Sequence, residues 1–130
     1  MSQENVELIQ RSFAVLEQTG EPDWSTTHEQ VEVYDHDILD ASEYRGHEGF
    51  GRWLEDWSSA WSEFQMDPEE FIDAGDRVVF VFQMTAKGRG SGVEVKRQDA
   101  IVFQLRDAIV VRVDYYNQRE QALKAVGLAE

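Results

Sequence analysis

The chain contains no cysteine, which rules out a disulfide, a thiolate zinc site or a thiol nucleophile. Its apolar runs are short. One of the longest, Val78-Val79-Phe80-Val81-Phe82, is far below the length that spans a bilayer. The opening Met1-Ser2-Gln3-Glu4-Asn5 lacks the basic and apolar regions of a signal peptide, so a bacterial-type cytoplasmic protein is expected. Basic residues are scarce: 12 Lys and Arg stand against 26 Asp and Glu, a formal net charge of −14. A field of that sign repels phosphate backbones and anionic lipids, so neither nucleic acid nor a membrane is an expected partner. His28, His36 and His47 form no metal motif, since no two sit four residues apart on one helix. Gly88–Gly92 has no P-loop lysine and leads into no helix, so it reads as a turn, not a phosphate cradle.

What remains is an ordinary globular mix, 42% hydrophobic and 29% charged over 130 residues, enough for one domain spanning 1–130. The acidity is uneven: residues 1–73 hold 19 acids and three bases, residues 74–130 seven acids and nine bases. Solubility is the plain reading of that excess.

Periodicity gives the order of elements. Ser2 suits an N-cap, and Val6, Ile9, Phe13 and Leu16 make one helical face that Gly20 ends. Pro22 suits the first turn of a short helix carrying Trp24, and Val31–Asp35 alternates as a strand. An acidic loop through Asp37, Asp40 and Glu43 follows. Phe50, Trp53, Leu54, Trp57, Trp61 and Phe64 then predict one long amphipathic helix with an aromatic stripe. Beyond it the period becomes two: a short strand at Glu70–Asp73, longer ones at Arg77–Lys87 and Val93–Arg106, and another at Ile109–Asn117 after an Asp107-Ala108 turn. Gln118–Gly127 closes as a short helix. Helices before a sheet must bury their apolar faces against it, which makes an α+β domain, and a sheet curled around an aromatic helix leaves a conical hollow.

Strand parity assigns candidates to that hollow. Val95, Arg97, Asp99, Ile101, Phe103 and Leu105 share the inward side of their strand, while Glu94, Lys96, Gln98, Ala100, Val102 and Gln104 are expected to face out. Arg97 and Asp99 among apolar neighbours must be paired or lie at a wet mouth, and a rim ion pair without chemistry is the plain alternative. Asp35 has the inward parity of the first strand; a carboxylate in a dry pocket gains proton affinity, whereas a solvated strand-end Asp would not. Asp114 shares a parity with Val110, Arg112 and Tyr116, and could equally make a cross-strand pair. Trp53 and Trp57 fit either a core or a pocket wall. His36, beside Asp35, is a possible proton carrier, and His47 a capping or surface residue.

Several segments together resemble a known family. Glu4-Asn5-Val6-Glu7-Leu8, Gly20, Tyr44-Arg45-Gly46-His47-Glu48-Gly49, Ile72-Asp73-Ala74-Gly75-Asp76-Arg77-Val78-Val79, Gly90-Ser91-Gly92-Val93-Glu94-Val95 and Ala122-Leu123-Lys124-Ala125-Val126-Gly127-Leu128 are similar to the SnoaL-like branch of the nuclear transport factor 2-like superfamily. The resemblance implies a cone-shaped fold and a homodimer through the outer sheet face, for which Val111, Val113 and Tyr115 have the right parity. That superfamily includes polyketide cyclases, ketosteroid isomerases, dehydratases, epoxide hydrolases and non-catalytic members, among which fold does not choose. The resemblance places an isomerase-type general base at Asp35. The isomerase phenol aligns with Phe13 and its oxyanion acid with about Ile101, so steroid isomerisation by that constellation is rejected. The epoxide hydrolase final-strand acid looks like Asp114, but Phe82 and Met84 stand where its partners belong.

The reading is therefore a small hydrophobic molecule in a cavity lined by Phe13, Tyr44, Trp53, Trp57, Ile101 and Tyr116, with no cofactor or metal. Asp35, Asp99 and Asp114 are the proton-transfer candidates, and Arg97 would stabilise negative charge. The alternative is a binding or dimeric assembly domain without catalysis.

Overall fold

The computed structural model describes residues 2–36 and 44–128, with the backbone alone at Ser2. The expected acidic loop through Asp37, Asp40 and Glu43 lies outside the described residues, as does the Ser2 side chain. Helix α1 (Ser2–Thr19) buries Val6, Leu8 and Ile9, with Phe13 and Leu16 half-buried. Gly20 ends it in the left-handed region (φ 78°), where its N–H reaches the Leu16 carbonyl at 2.8 Å. The short second helix is a 3-10 turn, Trp24–Thr26, and Asp23 caps it by accepting from the Ser25 N–H. Strand β1 (Thr27–Asp35) and the two-residue β2 (Tyr44–Arg45) follow. Gly46 (φ 75°) turns the chain into α2 (Gly46–Ser59), and a Cβ there would meet the Glu29 carbonyl oxygen at 3.0 Å.

The long aromatic helix is shorter than its periodicity predicts. It stops at Ser59, and Trp61 and Phe64 belong to β3 (Trp61–Ala74), which also absorbs the short strand expected at 70–73. Pairing along β4 (Arg77–Gly88) takes over, with Trp61 opposite Gly88. Arg89 secures the junction by donating to the Ser59 and Trp61 carbonyls, both at 3.0 Å. The aromatic stripe survives the change of structure, because Trp57 still meets Trp61 and Phe64 at 6.3 and 5.0 Å. Pro68 is tolerated since β3 is an edge strand with a bulge beside it.

Strands β5 (Glu94–Arg106) and β6 (Ile109–Tyr116) complete a six-stranded sheet of order β2-β1-β6-β5-β4-β3, in which only the β1–β6 pair is parallel. One face packs against α1 and α2 through Val78, Phe80, Phe82 and Met84. The other is not simply polar. Helix α3 (Arg119–Ala125) and the residue after it place Ala122 and Val126 over Val79, Val81, Ala100 and Val102. Ala100 and Val102, expected to face solvent, are buried there, and this second small core is why β4 is apolar on both sides.

Asp107 and Ala108 link β5 to β6 with φ of 53° and 63°, the conformation a two-residue hairpin demands and Ala tolerates poorly. Ala108→Gly is expected to raise stability by about 0.5–1 kcal/mol in urea unfolding. A loss on that substitution would show that the turn relaxes in solution.

Candidate functional site

A cavity of about 720 Å³ lies between the two N-terminal helices and the sheet. Phe13 comes from α1, Trp53 and Trp57 from α2, and Ile101 and Tyr115 from β5 and β6. Phe13, Trp53, Trp57 and Ile101 thus line the hollow as their periodicity predicts. Tyr44 does not. It is buried beneath α2, where its hydroxyl donates to Asp56 at 3.0 Å.

Behind the wall sit two buried carboxylates. Asp35 is 5% exposed and accepts from the Trp53 indole N–H at 3.0 Å. Asp99 is fully buried and receives Arg97 in bidentate fashion, Nε to Oδ1 at 2.6 Å and Nη2 to Oδ2 at 3.1 Å. Tyr115 adds a hydrogen bond from its hydroxyl to Asp99 Oδ2. Burial alone would lower the Arg97 proton affinity, but the Asp99 hydrogen bond and charge reverse that and hold it above the ordinary arginine value. Burial first, and the Asp99 charge next, push the Tyr115 phenol far above its usual range, so it stays protonated. Asp35, Arg97 and Asp99 are therefore one side chain removed from the cavity: Trp53 and Tyr115 line it and they do not.

Asp114 and Tyr116 lie on the opposite face of the sheet. The pairing of β5 with β6 shifts register between Gln104 and Leu105, opposite Arg112 and Val110, leaving Val111 as an extra residue. One inserted residue exchanges the faces of all that follow. Val110, Val113 and Tyr115 consequently point to the cavity. Val113 and Tyr115, expected on a dimer surface, are interior. Asp114 is held outside by Arg112 (2.8 and 3.1 Å), with His36 Nε2 2.7 Å from its Oδ1. His36 stacks flat on Tyr116 at 4.4 Å, and Arg112 lies 4.3 Å over the Tyr34 ring. His36 thus serves Asp114 on the outer face, away from the cavity. His47 joins the core boundary instead of capping, with Nε2 2.7 Å from the Thr27 carbonyl oxygen and its ring against Trp24.

Tyr115 is the residue that sequence reasoning missed. The signal was present: Val113 and Tyr115 alternate with Arg112 and Asp114, and the charged pair is the natural outward one. Among the described residues no group of His, Asp and Glu is placed to hold a metal ion, and no helix is long and apolar enough to cross a membrane.

The family profile of SnoaL-like domains matches residues 9–113. The chain belongs to that family. No curated protein gives a significant match. Among solved structures, a protein from Jannaschia sp. CCS1 named for the SnoaL-like polyketide cyclases superposes with a TM-score of 0.75 at 22% identity, covering 99% of this chain and 94% of its own. TerC, crystallised with polyporic acid, gives 0.73 at 21%, covering 94% and 97%. A Catenulispora acidiphila protein with a ketosteroid isomerase-like fold, in complex with trimethylamine, gives 0.64 at 16%, covering 81% and 79%. An NTF2-like protein from Burkholderia xenovorans LB400 gives 0.74 at 22%, covering 97% of each chain, and together these likenesses show a cone-shaped α+β fold shared with such proteins.

In this SnoaL-like domain the acids are arranged for indirect contact. Tyr115 is the polar residue that stands between Asp99 and the cavity, since it lines the cavity and its hydroxyl donates to Asp99. Asp35 has no comparable route through the Trp53 ring.

Proposed function

We propose that this SnoaL-like domain binds a small hydrophobic organic molecule between its long helix and its sheet. The observation that carries the reading is a cavity of about 720 Å³ walled largely by apolar side chains, aromatic and aliphatic, in the size range of pockets that enclose small ligands, roughly 300–1,000 Å³. Polyporic acid and trimethylamine in two proteins of this fold are consistent with a hollow that accommodates small molecules. The test is calorimetric titration with a neutral naphthalene alcohol. Saturable binding is expected, weakened about tenfold by Leu16→Trp, which fills the cavity from α1 and strips apolar contact area from the ligand. Absence of saturation, or an unchanged affinity in Leu16→Trp, would overturn the reading.

A second reading is acid–base catalysis, favoured by the Arg97–Asp99–Tyr115 chain that ends at the cavity wall. In such a step a ligand proton would pass to the Tyr115 oxygen as Tyr115 passes its own to Asp99, leaving Asp99 neutral and the negative charge on the ligand, with the Arg97 guanidinium behind the wall to offset it. The shielding of Asp35 and Asp99 behind Trp53 and Tyr115 makes binding the first reading and catalysis the second.

A further inference from the structure

We infer that the cavity selects a cationic ligand, a protonated amine on an aromatic or aliphatic body, over the matching carboxylate; the inference rests on the ligand-binding reading above. Two independent observations carry it. The first is the charge of the wall. Glu17, Glu21, Asp23, Glu55 and Asp67 line the cavity, and among the described residues that do so there is no Lys, Arg or His. Four of these acids are exposed, which places them at the mouth; Asp23 is half-buried, its Oδ1 occupied with Ser25. A cleft lined by one sign of charge raises the local concentration of the opposite sign.

The second observation is the polarity of the deeper groups. An anion needs donors or a cation, and side-chain donors of the lining are engaged within the protein, Ser58 with the Glu55 carbonyl at 3.1 Å and Gln65 with Asp67 at 2.8 Å among them. The Trp53 N–H goes to Asp35, the Tyr115 O–H to Asp99, and the Thr27 O–H to the Asp23 carbonyl at 2.9 Å. Tyr115 has no second O–H to give a ligand: its one proton is donated to Asp99, so its oxygen can only accept, and a carboxylate gains nothing from it. Arg97 lies behind Tyr115, its guanidinium engaged with Asp99 and with Tyr115 itself, and does not line the cavity. The rings of Trp24, Trp57 and Phe103 add faces of negative potential on which a cation can rest.

The inference is specific about discrimination because the apolar body of the ligand is common to all three charge states. Naphthylethylammonium, naphthylethanol and naphthylacetate differ in their polar ends and share the ring. In calorimetric titrations the ammonium is expected to bind about tenfold more tightly than the alcohol, and the carboxylate more weakly than either. Added salt should erode the ammonium preference and leave the alcohol comparatively unaffected, since the exposed mouth charges are screened. In Glu17→Gln/Glu21→Gln/Glu55→Gln/Asp67→Asn the ratio of ammonium to alcohol affinity should fall toward one. These four side chains are exposed, and the salt series on the unaltered protein tests the same claim without any substitution. Carboxylate binding equal to ammonium binding, or an ammonium preference indifferent to both salt and the mouth substitutions, would overturn the inference while leaving the cavity reading intact. Failure of the alcohol to bind would remove the cavity reading itself, and the inference with it.

Discussion

Arg97→Met is expected to destabilise the protein by about 3–5 kcal/mol, because it leaves a carboxylate buried without its cation. Asp99 is fully buried, and a methionine offers its Oδ1 and Oδ2 nothing in place of the two guanidinium bonds. The opposite deletion is milder. Asp99→Leu leaves an arginine whose side chain is 30% exposed and can turn to water. Its remaining cost is the Tyr115 hydroxyl, buried and deprived of its acceptor, at about 1–3 kcal/mol. The double variant Arg97→Met/Asp99→Leu should therefore be more stable than Arg97→Met alone, and adding Tyr115→Phe should recover most of the rest. Replacing a buried ion pair by packed apolar groups is often neutral, whereas halving it is not. Urea unfolding of the four variants measures this order. A double variant no better than Arg97→Met would mean that Asp99 is not ionised opposite Arg97 in the native protein. Against a total stability of about 5–15 kcal/mol, a loss of that size is a large and readily measured fraction.

That arrangement also explains why the fold was legible in the chain and the site only in part. Helical faces announce themselves locally: Val6, Ile9, Phe13 and Leu16 on α1, and Phe50, Trp53 and Trp57 on α2, are where a 3.6-residue period puts them. The run Val78–Phe82 reads as a strand covered on both sides, and it is, by the main core and by α3. The end of α2 was not local. Trp61 and Phe64 continue the helical period, yet β4 offers a full ladder of partners, and tertiary pairing overrides the pattern. The faces of β6 failed for a related reason. Period-two reasoning carries one bit per strand, and the extra residue at Val111 inverts it. Asp114 and Tyr116 moved to the outer face by that bit, and Tyr115 moved in. Asp99 needed no such correction because β4 and β5 pair without a shift from Arg77 to Lys87. The charge excess, read first as solubility, acquires a second role once Glu17, Glu21, Glu55 and Asp67, separate in sequence, are found around one opening.

The other large effect is expected at Trp53, where core and cavity meet. Trp53 is 3% exposed, packs against Phe50 and Tyr115 at 6.1 and 5.6 Å, and donates to Asp35. Trp53→Ala removes the ring and the donor together and should cost about 4 kcal/mol or more. Trp53→Phe separates the two contributions. Most of the ring volume is kept, so its cost, about 1–3 kcal/mol, reports the loss of the N–H to Asp35. The decisive comparison is a double-mutant cycle with Asp35→Leu, which puts a side chain of similar size there that requires no donor. If the indole is held against the wall by its bond to the carboxylate, Trp53→Phe should be costly while Asp35 is present. In the Asp35→Leu background it should be nearly free, a coupling of about 1–2 kcal/mol. Additive effects would mean that the ring is placed by packing alone, and that Asp35 is satisfied by its other neighbours. The same cycle bears on ligand recognition. A wall built by this bond cannot release its N–H to an incoming anion without exposing a buried carboxylate to the cavity, so the stability coupling and the rejection of carboxylate ligands should be lost together.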